Sequence, residues 1–459
     1  MQILIGASDK NAKFMTDKEV NVKLSGDGTR IGKRLHVVIF TFTLLEEEQY
    51  CSSLRNHILA IFKQPESYDC LKSALADIIS DVKQLTEIVV DRVKFRITYF
   101  LGGDWKFLAT VTGIDSASST YSCIWCKCKK DERGDIHQKW SLTDPTNGAR
   151  TIEENQKIGE QSRKQYNVSN PPLFPTIPLR NVVIDNLHLF LRVSDVLIDL
   201  LIVELRRQDA IEKVKKFSST DLTRYKHIQS YQNFISSLAI PGFEFYIGCS
   251  SKELKCRSLT GPEKLKVVRN IDIQALLPNF EASQCQAIQH LWNELLALNT
   301  VISKPASELS RTSIAEFERR ARKWGEDFVG VYQRCNITPY IHAFMNHVGE
   351  FMTIHGSIQP FNQQALEKKN DVVTKMFFRS SNHQGDTSLG QILEKQNRIE
   401  HFESVGIKKV KLFVVQCSNC KKKGHNRLTC EAPCKRCKYT PYRNHLHGDS
   451  RTASCDKEN

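Results

Sequence analysis

The alternation of apolar and polar positions over the first hundred residues predicts three strands and a helix. Residues 20–25 alternate and run into a glycine-flanked aspartate, a pattern typical of a strand that ends in a turn. Residues 35–45 are rich in β-branched and aromatic side chains and predict a buried second strand. Residues 67–86 carry apolar side chains at helical spacing. Residues 93–101 predict a third strand, so this part of the chain is of the α/β class.

The remainder of the chain is mainly helical in pattern. Residues 182–205 predict a strand followed by a helix, and helical periodicity dominates from there to about residue 334. Changes in composition suggest six segments. They are 18–126, the first part of an α/β core; 127–180, a polar excursion or linker; 181–335, a mainly helical insertion; 336–383, helices that close the core; 384–410, a polar linker; and 411–459, a basic tail.

The charge of the chain indicates a polyanionic partner. Of 459 residues, 40% are hydrophobic and 25% charged, as in ordinary globular proteins, yet the net charge is +14. Residues 401–459 hold 13 Lys and Arg against 5 Asp and Glu, so +8 of that charge lies in the tail. Because phosphate contacts release counterions, nucleic acid is the predicted partner, with DNA favoured over RNA. A solvated basic tail without a special role is the alternative.

The fifteen cysteines belong in a reducing compartment. The N-terminal residues have neither the basic start nor the apolar core of a signal peptide, and no apolar stretch reaches membrane-spanning length. We therefore expect an intracellular protein, nuclear rather than secreted, with no membrane association. In that setting, clustered cysteines indicate metal ligands.

The tail contains the most specific motif of the chain, Cys417-X2-Cys420-X4-His425-X4-Cys430. Three thiolates and one imidazole match the tetrahedral preference of Zn²⁺, and Gly424 allows the backbone turn before the histidine. The motif is that of a CCHC zinc knuckle, in which metal binding and folding are one event. A basic tail with unrelated thiols is the alternative.

Basic side chains inside this knuckle predict phosphate contacts. Knuckles that read bases commonly place an aromatic residue after the first cysteine, and Ser418 stands there instead. We therefore expect phosphate contact rather than base reading, through Lys421, Lys422, Lys423 and Arg427. A second ion with non-standard spacing is left open, with candidate ligands Cys434, Cys437, His445, His447 and Cys455.

Two aspartates occupy equivalent positions after β-like runs. Asp27 lies in Ser-Gly-Asp-Gly and Asp104 in Gly-Gly-Asp-Trp. Glycines let the backbone or a substrate come close, while a strand fixes the direction of the carboxylate. Paired carboxylates on neighbouring strands are what two-metal phosphoryl transfer with Mg²⁺ requires. Aspartates beside glycine are also common turn residues, and that reading stays open.

A second zinc site is predicted from two distant pairs. Cys123-X2-Cys126 is a half-site, and His342-X4-His347 in a helical stretch supplies two imidazoles. Together they would form a closed Cys2His2 structural site. A redox-active CXXC pair and ordinary helix histidines are the alternatives.

Taken in order along residues 20–385, these motifs resemble a known family. The resemblance is to the catalytic core of the V(D)J recombinase and the Transib-type transposases. It is carried by Ser-Gly-Asp27-Gly, Gly-Gly-Asp104, Cys123–Cys126, Ile184-Asp185-Asn-Leu-His188, His342–His347, Gly356-Ser-Ile and Asn370. The family implies an RNase H-like mixed sheet interrupted by a large helical, zinc-stabilised insertion, and some relatives carry a C-terminal CCHC element.

The resemblance implies roles for individual residues. Asp27 and Asp104 match two metal-binding aspartates of an Asp-Asp-Glu triad, while Cys123, Cys126, His342 and His347 match the structural zinc ligands. Alignment on Asn370 puts Gln364 where the family has its glutamate. Glu367 lies one helical turn later on the same face and is our candidate third acid.

Two functions therefore remain in competition. The first is a zinc-containing nucleic-acid-binding protein derived from a transposase, which cuts and joins DNA with Mg²⁺ through Asp27, Asp104 and Glu367. The second is a catalytically inactive zinc-knuckle protein that binds DNA, RNA or a protein partner. Relatives have end-binding domains upstream of the first aspartate, so we expect a fragment, a decayed copy or a domesticated descendant. A homodimer is left open.

Overall fold

A six-stranded mixed sheet contains the four strands predicted from the sequence and two further strands, residues 57–62 and 87–90, that were not predicted. The structure, a computed structural model, describes residues 18–31, 35–46, 52–211, 213–217, 222–382 and 387–404, apart from the side chains of Cys335, Ser380, Glu403 and Ser404. The strands are β1 (Glu19–Ile31), β2 (Leu35–Leu44), β3 (His57–Phe62), β4 (Glu87–Val90), β5 (Val93–Gly103) and β6 (Val182–Ile184). Their order in the sheet is β3-β2-β1-β5-β4, with β6 also pairing with β5.

Strand direction divides this sheet into two halves. Strand β1 is antiparallel to β2, and β2 is antiparallel to β3. On the other side of β1, strand β5 is parallel to it, and β6 is parallel to the end of β5. The short strand β4 pairs antiparallel with the beginning of β5. The mixed α/β class predicted from the sequence is thereby confirmed.

Helices follow the sheet strands and make up most of the later chain. Those of the first half are α1 (Tyr68–Ala74), α2 (Ala76–Gln84), α3 (Trp105–Val111), α4 (Ile152–Glu160) and α5 (Asn186–Gln208). Those between residues 209 and 338 are α6 (Lys226–Ser237), α7 (Gly261–Asn270), α8 (Ile273–Leu276), α9 (Ala282–Ile302) and α10 (Arg311–Tyr332), with a hairpin of β7 (Phe245–Ile247) and β8 (Leu254–Cys256). The last are α11 (Pro339–Asn346), α12 (Val348–His355), α13 (Gln364–Ser380) and α14 (Thr387–Ser404).

The first strand is longer than its sequence pattern predicts. The prediction that it ends at the Gly26-Asp27-Gly28 turn is wrong, because antiparallel pairing with β2 continues through Asp27↔Ile39 to Ile31↔Leu35. Backbone hydrogen bonds to the partner strand override the local turn preference of glycine and aspartate. Asp27 is therefore fixed inside a paired strand.

Two predicted linkers are more ordered than their polarity suggests. Residues 127–180 include α4 and bury apolar side chains such as Leu142, Phe174 and Ile177. The predicted linker 384–410 contains α14, whose hydrophobic residues Leu389 and Ile392 are buried. Polar composition did not predict the helices in these two segments, because a few buried apolar side chains are enough to order a segment.

The described residues up to Ile392 belong to one compact unit, and residues from Leu393 onward are assigned to a second. The main core runs from the sheet through α3 and α5 into α9 and α10, and includes Phe40, Phe107 and Trp324. Among the described helices, none is long and apolar enough to cross a membrane.

Gly26 tests how tightly α3 packs on the sheet. A Cβ atom at Gly26 would lie 2.2 Å from a ring carbon of buried Phe107. We expect Gly26→Ala to lower the free energy of unfolding by about 1–3 kcal/mol, the usual range for overpacking. The matched control is Gly330→Ala in α10, where no heavy atom lies within 4 Å and helix propensity favours alanine. Chemical denaturation of both variants checks this, and equal stability would contradict the packing.

Candidate metal centres

Three aspartates lie at the same edge of the sheet because the parallel pairing of β1 with β5 and of β5 with β6 ends there, although β1 itself continues to Ile31. The β1–β5 register pairs Ser25 with Gly102, so Asp27 and Asp104 both stand two residues further along. The β5–β6 register pairs Gly103 with Ile184, so Asp104 and Asp185 both come next. Asp27, Asp104, His188, Gln363 and Glu367 line one cleft there. The structure thus brings together the three predicted acidic residues.

A buried lysine that was not identified from the sequence fixes the loop that leads into α13. Lys23 is 2% exposed, and its Nζ donates to the carbonyl oxygens of Pro360 (3.0 Å) and Asn362 (3.3 Å). Because side chains alternate along a strand, Lys23 and Asp27 share a face of β1. The ammonium group therefore ties the strand of the first acid to the loop that begins the helix of the third.

Helix α13 packs against β1 and presents Glu367 rather than Gln364 to the cleft. The side chain of buried Gln363 fills the space above Gly102, where a Cβ atom would lie 2.7 Å from Nε2. Its backbone N–H donates to Asp185 Oδ1 at 3.0 Å. Gln364 follows at the surface, outside the residues that line the cleft. The register thereby favours Glu367 as the third acid.

Like charges crowd Asp27. Burial, together with the nearby carboxylates of Asp104, Glu66 and Glu367, raises the pKa of Asp27 to about 7, although His188 opposes this. Asn370 donates a hydrogen bond from Nδ2 to Asp27 Oδ2 and fixes the carboxylate. Asp104 is oriented as the N-cap of α3, with Oδ1 accepting from Phe107 N at 2.7 Å.

Glu66 is a fourth carboxylate beside these aspartates and was absent from the sequence prediction. Its side chain is 5% exposed and bonds to Lys106 Nζ at 2.9 Å. Burial raises the pKa of Glu66, and Asp104 adds to this, while Lys106 opposes it. Glu66 sits over Gly28, where a Cβ atom would lie 2.6 Å from Oε2. Only tertiary packing identifies it, because nothing in its local sequence is distinctive.

His188 connects Asp185 to Glu367. Its Nδ1 bonds to Asp185 Oδ2, and its Nε2 lies 3.4 Å from Glu367 Oε1. Burial lowers the pKa of His188, but the bond and charge of Asp185, with Asp104 and Glu367, outweigh this and raise it to about 9. At neutral pH the ring is therefore a cation between two carboxylates. Asp185 also caps α5 by accepting from the N–H groups of Leu187 and His188.

The oxygen atoms of the cleft suit a hard divalent cation. The amide oxygens Gln363 Oε1 and Asn370 Oδ1 and the carboxylate oxygen Glu66 Oε1 are buried acceptors without a hydrogen-bond partner within the described chain. Carboxylate and amide oxygens are the ligands of Mg²⁺. The acidic oxygens of the cleft do not all lie within 4.8 Å of one another. Among the described residues, one group of potential metal ligands does meet this distance, and it consists of cysteines and histidines.

That group is the predicted Cys2His2 set. The Sγ atoms of Cys123 and Cys126 and ring nitrogens of His342 and His347 all lie within 4.8 Å of one another and are buried. Cys123 Sγ is 3.4 Å from His347 Nε2, and Cys126 Sγ is 3.2 Å from His342 Nε2. Tetrahedral Zn²⁺ with Zn–S of about 2.3 Å and Zn–N of about 2.0 Å would put these atoms about 3.5 Å apart. The group can hold a zinc ion.

Aromatic packing orients the two imidazoles. Their Nδ1 atoms are buried without a hydrogen-bond partner among the described residues, although zinc-bound histidines usually have one. Trp125 lies 5.8 Å from the His347 ring and Trp140 lies 6.3 Å from the His342 ring, measured between centroids. Buried Arg150 donates from Nε to the Cys126 carbonyl, which fixes the cysteine loop.

The Cys2His2 group is linked to the acidic cleft through α11. Tyr340, two residues before His342, accepts a hydrogen bond at Oη from the backbone N of Trp105, at 3.1 Å. Trp105 directly follows Asp104 and packs edge-on against Trp125 between the cysteines, with ring centroids 5.4 Å apart. A metal in the Cys2His2 group would therefore stabilise the segment that positions Asp104.

The predicted knuckle ligands and phosphate-binding residues all lie outside the described residues. These are Cys417, Cys420, His425, Cys430, Lys421, Lys422, Lys423 and Arg427, together with the candidates for a second tail ion. Their assignment stays a prediction. In comparisons with known proteins, neither a family model nor a curated protein matches this chain.

Removing one ligand of the Cys2His2 group should remove one zinc ion per chain. We expect Cys126→Ser and His342→Ala each to lower the zinc content by one equivalent and the free energy of unfolding by several kcal/mol, because site formation is coupled to folding. Cys128→Ser is the matched control, since Cys128 is buried in the same loop but outside the group. Elemental analysis and thermal melting of the full chain check this; an unchanged zinc content in Cys126→Ser would contradict it.

The raised pKa of Asp27 predicts a pH-dependent penalty on folding. The pKa of Asp27 is about 7 in the folded chain against its ordinary value of 3.8, so folding binds a proton between these limits and the stability contributed by this group falls as pH rises from about 4 to 7. We expect Asp27→Asn to raise the free energy of unfolding by about 2 kcal/mol at pH 8 and by little at pH 4, without added Mg²⁺.

Asp91→Asn is the control for this prediction, because Asp91 lies in an exposed turn with φ of 48°, which asparagine tolerates. Denaturation curves of both variants across that pH range measure the difference. An Asp27→Asn effect that is the same at pH 4 and pH 8 would refute the electrostatic origin.

Proposed function

We propose that this chain is the RNase H-like core of a DDE-type transposase relative and cleaves DNA with Mg²⁺ through Asp27, Asp104 and Glu367. One observation carries the proposal: three carboxylates from residues far apart in sequence line one cleft at the carboxyl edge of parallel strands. The strand order and directions also support an RNase H-like sheet, with three antiparallel strands followed by two parallel ones.

The electrostatics of the cleft favour a bound divalent cation over a purely structural role. Burial and nearby carboxylates raise the pKa of Asp27, Glu66 and Glu367, and the anionic forms of these groups are stabilised when a cation binds among them. Mg²⁺ at such a site supplies an activated water or hydroxyl and neutralises charge on the leaving oxygen of a phosphodiester.

The residues of the chain would then divide the work as follows. Asp27, Asp104 and Glu367 provide the carboxylate ligands, and Asn370 orients Asp27 through its amide. His188, held by Asp185, positions Glu367 and supplies a positive charge beside the phosphate path. Lys23 holds the loop before α13 against β1 through its hydrogen bond to the Pro360 carbonyl. The Cys2His2 group, when it holds zinc, stabilises the helix that supports Asp104.

A second candidate is a zinc-containing nucleic-acid-binding protein without cleavage activity. It is favoured by a specific contact: Glu367 is paired with His188, and the acidic oxygens do not gather within the distance that a single ion needs. In this case the cleft has no catalytic activity, and nucleic-acid binding depends on basic surfaces, including the predicted knuckle at residues 417–430.

Divalent-dependent nicking of a supercoiled plasmid separates these candidates. We expect nicking by wild type in Mg²⁺ or Mn²⁺, and a loss of at least about a hundredfold in Asp27→Asn, Asp104→Asn and Glu367→Gln, since even outer partners of metal ligands contribute 10- to 100-fold. Asn at 104 keeps the N-cap, so the fold is retained. No nicking by wild type with either metal would overturn the enzyme and leave the binding protein.

The two possible third acids are compared in the same assay. Gln364→Glu is the control for Glu367→Gln, because it restores the family's glutamate at a position outside the cleft lining. We expect it to leave nicking unchanged. Strong activation by Gln364→Glu would show that the third acid is assigned to the wrong turn of α13.

A further inference from the structure

A cluster of exposed lysines lies between residues 213 and 256, far in sequence from the acidic cleft. Residues 213–217 and 245–256 together contain five lysines and one glutamate. The lysines are Lys213, Lys215, Lys216, Lys252 and Lys255, and all are exposed. We call these five side chains the lysine patch.

Two hydrogen bonds hold the patch together. Phe217 N donates to the carbonyl oxygen of Lys252 at 2.8 Å, which joins the first segment to the turn of the β7–β8 hairpin. Arg206 of α5 donates to the carbonyl oxygen of Val214 at 2.9 Å. Buried Phe217 also packs edge-on against Tyr225, with centroids 6.0 Å apart. The lysines therefore stand on an anchored backbone rather than on a solvated run of chain.

These lysines have few carboxylate partners, whereas some other exposed lysines of the described chain are paired. Lys94, Lys139 and Lys323, for example, each bond to an acid. Lys213, Lys215, Lys216 and Lys252 have no carboxylate within the 4.0 Å ion-pair limit among the described residues, and Lys255 approaches Glu253 only at 3.7 Å. Fixed like charges of this kind repel one another and are stabilised by a polyanion.

An exposed tyrosine lies within the patch. Tyr246 pairs with Lys255 across the hairpin and is 51% exposed. Lysines bind phosphates as point charges, and an exposed aromatic ring offers a face on which a base or sugar can stack. A protein partner with acidic side chains would use the lysines but would not need the ring.

We propose that the lysine patch with Tyr246 is a nucleic-acid-binding surface that contacts the phosphate backbone of DNA outside the acidic cleft. The assignment as DNA rests on the function proposed above, but the surface would bind whether or not the cleft cleaves. It adds a sequence-independent contact in the insertion, distinct from the basic tail.

Charge reversal within the patch is the test. The double variant Lys215→Glu/Lys216→Glu is compared with Lys72→Glu/Lys83→Glu, which makes the same change in net charge on exposed positions of α1 and α2. Full-length chains are titrated with a 30-base-pair duplex and a 30-nucleotide single strand without added Mg²⁺. We expect the patch variant to bind the duplex about tenfold more weakly and to lower the salt slope by about 2. The α1–α2 variant should stay near wild type.

Two further measurements keep the result independent of the tail and of cleavage. Acetylation footprinting should show protection of Lys215, Lys216 and Lys252 by DNA. Tyr246→Ala should weaken single-strand binding by about fivefold, and Tyr246→Phe should not. Equal weakening by both charge-reversal variants, or acetylation unchanged by DNA, would overturn the surface. A protein that passes these tests but does not nick plasmid would retain the surface and lose the proposed enzyme.

Discussion

The Cys2His2 group of Cys123, Cys126, His342 and His347 is the constraint on which the position of the acidic cleft depends. Its two halves are more than two hundred residues apart, so it closes a loop that contains helices α4 to α10. Closing so long a loop carries an entropic cost that burial and, when zinc is bound, the metal–ligand bonds must offset. Once it is closed, α11 bonds to the segment that follows Asp104, and α12 and α13 follow within the same compact unit.

The acidic cleft presents the opposite balance of forces. Burial of Asp27, together with the nearby carboxylates of Asp104, Glu66 and Glu367, raises the pKa of Asp27 to about 7. Three contacts offset the negative charge of these carboxylates. The amide of Asn370 donates to Asp27, the ring of His188 lies beside Glu367, and the ammonium of Lys106 bonds to Glu66. Such a site is destabilising without a cation, and this cost is characteristic of sites kept for chemistry rather than for stability. Lys23 adds the mechanical link, because it fixes the loop before α13 to β1.

Local patterns predicted most of the elements around these sites. Residues 35–45 formed β2, and residues 182–205 formed a strand and a helix as expected, while residues 67–86 formed two consecutive helices instead of the single predicted one. The failures have a common cause. Strand β1 runs past its glycines because β2 pairs with it, and the polar residues 127–180 are ordered by apolar side chains that join the main core. Each outcome depends on a partner outside the segment itself.

The sequence by itself determined which residue types were available: a CXXC pair, a histidine pair with four residues between, and aspartates beside glycines after β-like runs. These are local properties, set by ligand chemistry and by the period of strands and helices. Only the tertiary structure decided that both pairs meet, that Glu367 rather than Gln364 lines the cleft, and that Lys23, Glu66 and His188 support it. The physical reason is that helix register, burial and charge repulsion arise between elements far apart in the chain, and no short window of sequence contains them.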